Sequence, residues 1–158
     1  YFYSFINYIS DPHHYILVFC LIALTYIWKR KFLFNVIVIF LLYFLIFSAL
    51  KHFFPEARPF IIFNPMDINL LHYNPAVHST DYHSFPSGHV GDMAIFVFTL
   101  NLLFFNNKSS IQLLMLLLII LTAFTRIASG MHWPTDVLTS GFISYIIVRL
   151  GLLIKFKQ

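Results

Sequence analysis

Charge is scarce in this sequence. Only 10% of its 158 residues are Asp, Glu, Lys or Arg, against about 25% in soluble domains. The deficit excludes an ordinary soluble globule, a disordered tail and a charge-laced coiled coil. Five glycines are far too few for a collagen. Cysteine is limited to Cys20, so no intrachain disulfide forms and the redox compartment is left open. The net charge is +4. No cluster pairs exposed Lys or Arg with aromatics on a polar face, which sets nucleic acid aside as a partner.

Apolar surface is what the chain has in abundance. Hydrophobic residues make up 59% of it, and the mean hydropathy is +0.80. Its 20 Phe and 9 Tyr suit lipid-facing surfaces and interfacial belts. Crossing a bilayer takes roughly 20 helical residues. Five stretches come close: Pro12–Trp28, Phe32–Leu50, Gly88–Phe105, Ile111–Ala128 and Thr135–Ile154. The fold expected is an all-α polytopic membrane bundle of about five helices forming one domain over residues 1–158. Tyr1–Ser10 has no basic flank and no small-residue cleavage site, so it does not read as a signal peptide.

Threading five spans sorts the polar residues onto two sides. One side takes Lys29, Arg30, Lys31, Lys108, Arg149, Lys155 and Lys157 and no acid. The other takes Lys51, Arg58, Arg126, all six acids and all eight His. The positive-inside rule makes the first side cytoplasmic and the second periplasmic or extracellular. Three segments meet on that outer side. Lys51 to Pro59 leaves the second span, and Phe85 to His89 opens the third. Thr125 to Asp136 joins the fourth to the fifth. The outer loop 51–87 thus carries two of the three.

Lys51, Arg58 and Arg126 are cations at a membrane boundary, where such groups tend to mark a site. An Arg fork suits phosphate oxygens, and Lys adds a point charge. Pro86-Ser87-Gly88 reads as a helix start, with Ser87 as N-cap and Gly88 allowing close approach to the backbone. A helix N-terminus offers free N–H groups to an anion. His132 and Asp136 are four apart and share a face if the last helix starts near Pro134. Asp136 can then accept from one ring nitrogen of His132 and leave the other as a nucleophile. His89 can face His132 across a phosphoryl group and protonate the leaving oxygen.

The pattern Lys-x6-Arg-Pro, Pro-Ser-Gly-His, then Ser-Arg-x5-His-x3-Asp resembles the type 2 phosphatidic acid phosphatase superfamily, which includes the vanadium haloperoxidases. Lys51, Arg58 and Pro59 match the first block. Pro86, Ser87, Gly88 and His89 match the second. Arg126, His132 and Asp136 match the third, with Thr125 where the family usually has Ser. The resemblance implies a phosphatase without metal or cofactor. In it His132 attacks phosphorus, Asp136 orients it, and His89 protonates the leaving group and then activates water. Lys51, Arg58, Ser87, Gly88 and Arg126 hold the phosphate. Membrane members of the family commonly have six spans. Either a first helix precedes Tyr1, or the aromatic Tyr1–Ser10 lies in the interface, or this is a compact member.

The expected substrate is a membrane lipid phosphate or diphosphate, such as lipid A 1-phosphate, undecaprenyl diphosphate, phosphatidylglycerol phosphate or phosphatidic acid. The expected setting is a bacterial inner membrane. A phosphotransferase using the same intermediate, a non-catalytic phospholipid-binding protein and a vanadate-dependent haloperoxidase are the alternatives. Asp92, one turn after His89, either hydrogen-bonds it or favours the helix N-terminus. Glu56, between Lys51 and Arg58, offsets their charge. His72, His78 and His83, with Asp67 and Asp81, crowd the outer loop, but their spacings match no common metal motif.

Overall fold

The structure is a computed structural model that describes residues 12–63, 82–105 and 109–154. The expectations for Tyr1–Ser10, Asp67, His72, His78 and Asp81 lie outside the described residues, as do Lys108, Lys155 and Lys157. Six helices follow in order: α1 (Pro12–Trp28), α2 (Leu33–Phe53), α3 (Pro59–Ile62), α4 (Gly88–Leu100), α5 (Ser109–Ala128) and α6 (Pro134–Leu153). A 3-10 turn at Arg30–Phe32 leads into α2, and a π turn at Asn101–Phe105 prolongs α4. Among the described residues, four helical stretches are long and apolar enough to cross a membrane: Arg30–Phe53, Gly88–Phe105, Ser110–Ala128 and Pro134–Leu153. A shorter apolar helix, Tyr15–Trp28, joins them. The protein is therefore an all-α, multi-pass membrane bundle, as its composition predicts.

Local chemistry sets the helix ends. Lys51 falls inside the last turn of α2, since the helix runs on to Phe53 before Pro55 stops it. Pro59 and Pro134 stand at the first turns of α3 and α6, where a missing N–H costs nothing. Between α5 and α6 the chain turns through Gly130, whose φ of 67° is a conformation other residues rarely adopt. That turn presents the Gly130 carbonyl to the Phe60 amide at 3.2 Å, which docks α3 against it.

In lipid, helices gain little from burying apolar surface, so close packing and small residues hold them together. α4 is central and packs most extensively on α6. Ile39, Tyr43 and Phe47 of α2 form one buried face against Ile95 of α4 and Ile147 and Val148 of α6. Val90, Ala94 and Val97 turn the other side of α4 to Met115 and Ile119 of α5 and Val137 of α6. Two glycines permit this approach. A Cβ on Gly91 would lie 2.5 Å from the Phe47 ring, and one on Gly151 would collide with Ile39. Phe19, Leu45, Leu113, Leu121, Phe124, Leu138 and Phe142 point outward, where lipid solvates them. At the end of the bundle shared by Lys29 and Ile154, Asn35 donates from Nδ2 to the carbonyls of Gly151 (2.8 Å) and Ile154 (2.9 Å), serving the last turn of α6.

Candidate active site

The three sequence segments come together at the opposite end. The backbone at Glu56 and Ala57 is their hub. Glu56 pairs with His83 in an isolated parallel bridge, and its carbonyl accepts the Ser84 amide at 3.0 Å. The Ala57 carbonyl accepts from Trp133 Nε1 at 2.9 Å. The first segment is thereby tied to both of the others.

His132 sits in the turn before α6 and is 3% exposed. Its backbone N–H reaches the Arg126 carbonyl at 3.3 Å, across the turn from α5. Its Nδ1 lies 2.7 Å from the carbonyl oxygen of Ser84. A carbonyl only accepts, so Nδ1 carries the proton and Nε2 keeps its lone pair. Asp136 Oδ2 stands 3.6 Å from the same Nδ1. The two residues are adjacent, as the i, i+4 spacing suggests, but the short hydrogen bond from the ring goes to a backbone carbonyl. Asp136 is instead fixed by donors of its own, the Ser84 hydroxyl at 2.5 Å and the Trp133 amide at 2.8 Å. It sits at the third residue of α6, where a carboxylate offsets the unpaired N–H groups and the helix dipole.

Burial pushes the His132 pKa down from 6.5 to about 4. The nearby carboxylate of Asp136 opposes that shift, while the positive charges of Arg58 and Lys51 reinforce it. The imidazole is therefore neutral across the physiological range. Glu56 faces Asp136, and loss of hydration together with that negative neighbour moves the Glu56 carboxyl pKa up.

Lys51 Nζ reaches across from α2 to the carbonyls of His83 (3.1 Å) and Pro86 (2.8 Å). This places its charge beside the turn that starts α4. Arg58 Nη1 lies 3.4 Å from the Met131 carbonyl and 3.3 Å from its sulfur, next to His132 in sequence. Arg126, in the last turn of α5, is half-buried. Ser87 occupies the N-cap position of α4 but makes no capping hydrogen bond. Its hydroxyl is buried and has no hydrogen-bond partner among the described residues, so the cap expected from the sequence is not made. Gly88 and His89 form the first turn of α4, with His89 half-buried. The Gly88 carbonyl is held by Tyr43 Oη at 3.0 Å, and that of Gly91 by Ser144 Oγ at 3.2 Å. Asp92 is buried one turn further on.

Thr125 bonds within its own helix. It is exposed, and its hydroxyl donates to the Thr122 carbonyl at 2.8 Å within α5. No sequence signal marks the roles of the Ser84 hydroxyl and the Trp133 indole, because each bonds a residue more than 45 positions away. Among the described residues, no three of His, Cys, Asp and Glu cluster as metal ligands.

Comparison with known proteins places this arrangement. The chain is 38% identical over 90 residues to YbjG of Escherichia coli (strain K12), a protein that carries the name of an undecaprenyl-diphosphatase. The match takes in 57% of this chain and 40% of that relative's length. The crystal structure of Aquifex aeolicus LpxE superposes with a TM-score of 0.69 at 28% identity, covering 97% of this chain and 84% of that one. The family model described as the PAP2 superfamily matches residues 32–158. That match contains all three blocks and four of the long helices around them, so this chain belongs to the PAP2 superfamily.

Proposed function

We propose that this protein is a lipid phosphatase, a phosphoric monoester hydrolase that works through a phosphohistidine on His132. The observation that carries the reading is His132 itself. It is buried and neutral, and held by its Nδ1 with Nε2 left as the nucleophile, beside Lys51 and Arg58 at one end of an apolar bundle. The Nε2 lone pair attacks phosphorus as the bond to the leaving oxygen breaks, and His89 gives that oxygen its proton. Water then attacks the phosphohistidine, losing its proton to His89, and His132 recovers its lone pair as phosphate departs. The charges of Lys51, Arg58 and Arg126, the Ser87 hydroxyl and the amides around Gly88 hold the phosphoryl oxygens.

Helix ends level with the headgroups suit a lipid substrate reached sideways from the bilayer. The excess of Lys and Arg at the other end directs this site to the periplasm or exterior of a bacterial inner membrane. A lipid phosphate or diphosphate of the undecaprenyl, lipid A or phosphatidylglycerol phosphate type fits the site's position and the name that YbjG carries. The test is phosphate release from such lipids by the purified protein in detergent, with EDTA present. Wild type is expected to release phosphate and His132→Ala to release none. Equal release by both, or abolition by EDTA, would overturn the mechanism.

A further inference from the structure

Ser84 joins the Glu56 backbone, His132 and Asp136. It is fully buried, and each of its three polar groups is used. Its amide binds the Glu56 carbonyl at 3.0 Å, its carbonyl accepts His132 Nδ1 at 2.7 Å, and its hydroxyl donates to Asp136 Oδ2 at 2.5 Å. A buried serine between a histidine and a carboxylate divides two tasks that one aspartate could otherwise perform alone. The neutral carbonyl fixes the tautomer without adding negative charge to the ring. The hydroxyl fixes the carboxylate 3.6 Å away, near enough to stabilise a cationic ring once Nε2 is phosphorylated.

We propose that Ser84 is a positioning residue for His132, holding Asp136 back from Nδ1 so that the nucleophile stays neutral until phosphoryl transfer. The proposal rests on His132 being the nucleophile. Groups facing the imidazole are Asp136 from α6, Lys51 from the end of α2 and Arg58 from the loop before α3, with Glu56 facing Asp136. Without the Ser84 hydroxyl, Asp136 Oδ2 keeps the Trp133 amide as its anchor, and the carboxylate can turn about it toward Nδ1. The ring then takes up a proton at higher pH, and the charge that should answer the phosphorylated ring is misplaced.

The experiment is a pH profile of phosphate release by Ser84→Ala in detergent, with kcat and KM separated, beside Asp136→Asn and the double variant. For Ser84→Ala we expect kcat to fall about 10- to 100-fold, with KM within about twofold of wild type. The acidic limb should move up by about one pH unit. The double variant should be no slower than Asp136→Asn alone, since both changes act through one carboxylate. Ser84→Cys keeps the volume with only a weak donor and should behave like the alanine variant. An unshifted acidic limb, or losses that multiply in the double variant, would overturn the proposal. So would a complete loss of turnover in Ser84→Ala, because the carbonyl that holds Nδ1 survives that change. Wild-type turnover in His132→Ala would instead overturn the phosphohistidine reading itself.

Discussion

Lys51 Nζ lies 2.8 Å from the carbonyl oxygen of Pro86. The contact joins the last turn of α2 to the turn that launches α4, across 35 residues of sequence. A second carbonyl, that of His83, holds the same ammonium at 3.1 Å. The cation that the sequence offers as a phosphate ligand thus also positions the segment bearing Ser84, Ser87 and His89. Lys51→Gln removes the charge and one anchor together. Phosphate release should fall about 100-fold, and the melting temperature in detergent should drop as well. A variant that lost activity with no change in melting would show that Lys51 serves the phosphate alone.

His132 makes stability depend on pH. In the unfolded chain its pKa is 6.5, and in the folded chain about 4. Between those values the unfolded chain binds more protons, so the stabilisation is complete above pH 6.5 and is lost as pH falls toward 4. The loss amounts to about 3 kcal/mol. Thermal unfolding between pH 7 and pH 4 should show a decline that His132→Ala largely removes. Catalysis should follow a bell-shaped profile whose acidic limb lies near pH 4, well below that of an ordinary imidazole.

Gly91 is a packing requirement of the site. Its missing Cβ makes room for the Phe47 and Tyr43 rings, which meet at a 46° tilt with centroids 4.2 Å apart. Gly91→Ala should push α4 off α2 and cost about 1–3 kcal/mol. His89 rides on that first turn, so kcat should fall with stability. Adding Phe47→Leu should recover part of both, as measured by melting and phosphate release on the double variant.

Asn35 offers the opposite separation. Its two hydrogen bonds serve the last turn of α6, at the far end of the bundle from Asp136. Asn35→Leu should lower stability by about 1–2 kcal/mol, since two carbonyls lose their donor. Phosphate release per folded molecule should stay at the wild-type level. Loss of activity without loss of stability would show that this end of the bundle is coupled to the site.

The helices were legible because a bilayer demands long apolar runs, and Pro59 and Pro134 mark their starts by chemistry that acts over a few residues. The blocks around Lys51, His89 and His132 were legible because their spacings suit one task. Which face of each helix is buried was not legible. α2 is apolar all round, and only packing selects Ile39, Tyr43 and Phe47 for the interior. The partners of the Ser87 hydroxyl and of His132 Nδ1 were not legible for a related reason. A hydroxyl or ring nitrogen bonds whatever the fold brings within 3 Å.

From its residues alone the chain is legible as a multi-pass helical membrane protein. Composition, periodicity and charge placement are local properties that the bilayer reads directly. Only the tertiary structure decided that Ser84 stands between His132 and Asp136, and that the backbone at Glu56 and Ala57 ties the three segments together. Those bonds join residues 28 to 76 positions apart. Short-range pattern carries no record of such distances, and helix packing alone brings them to contact.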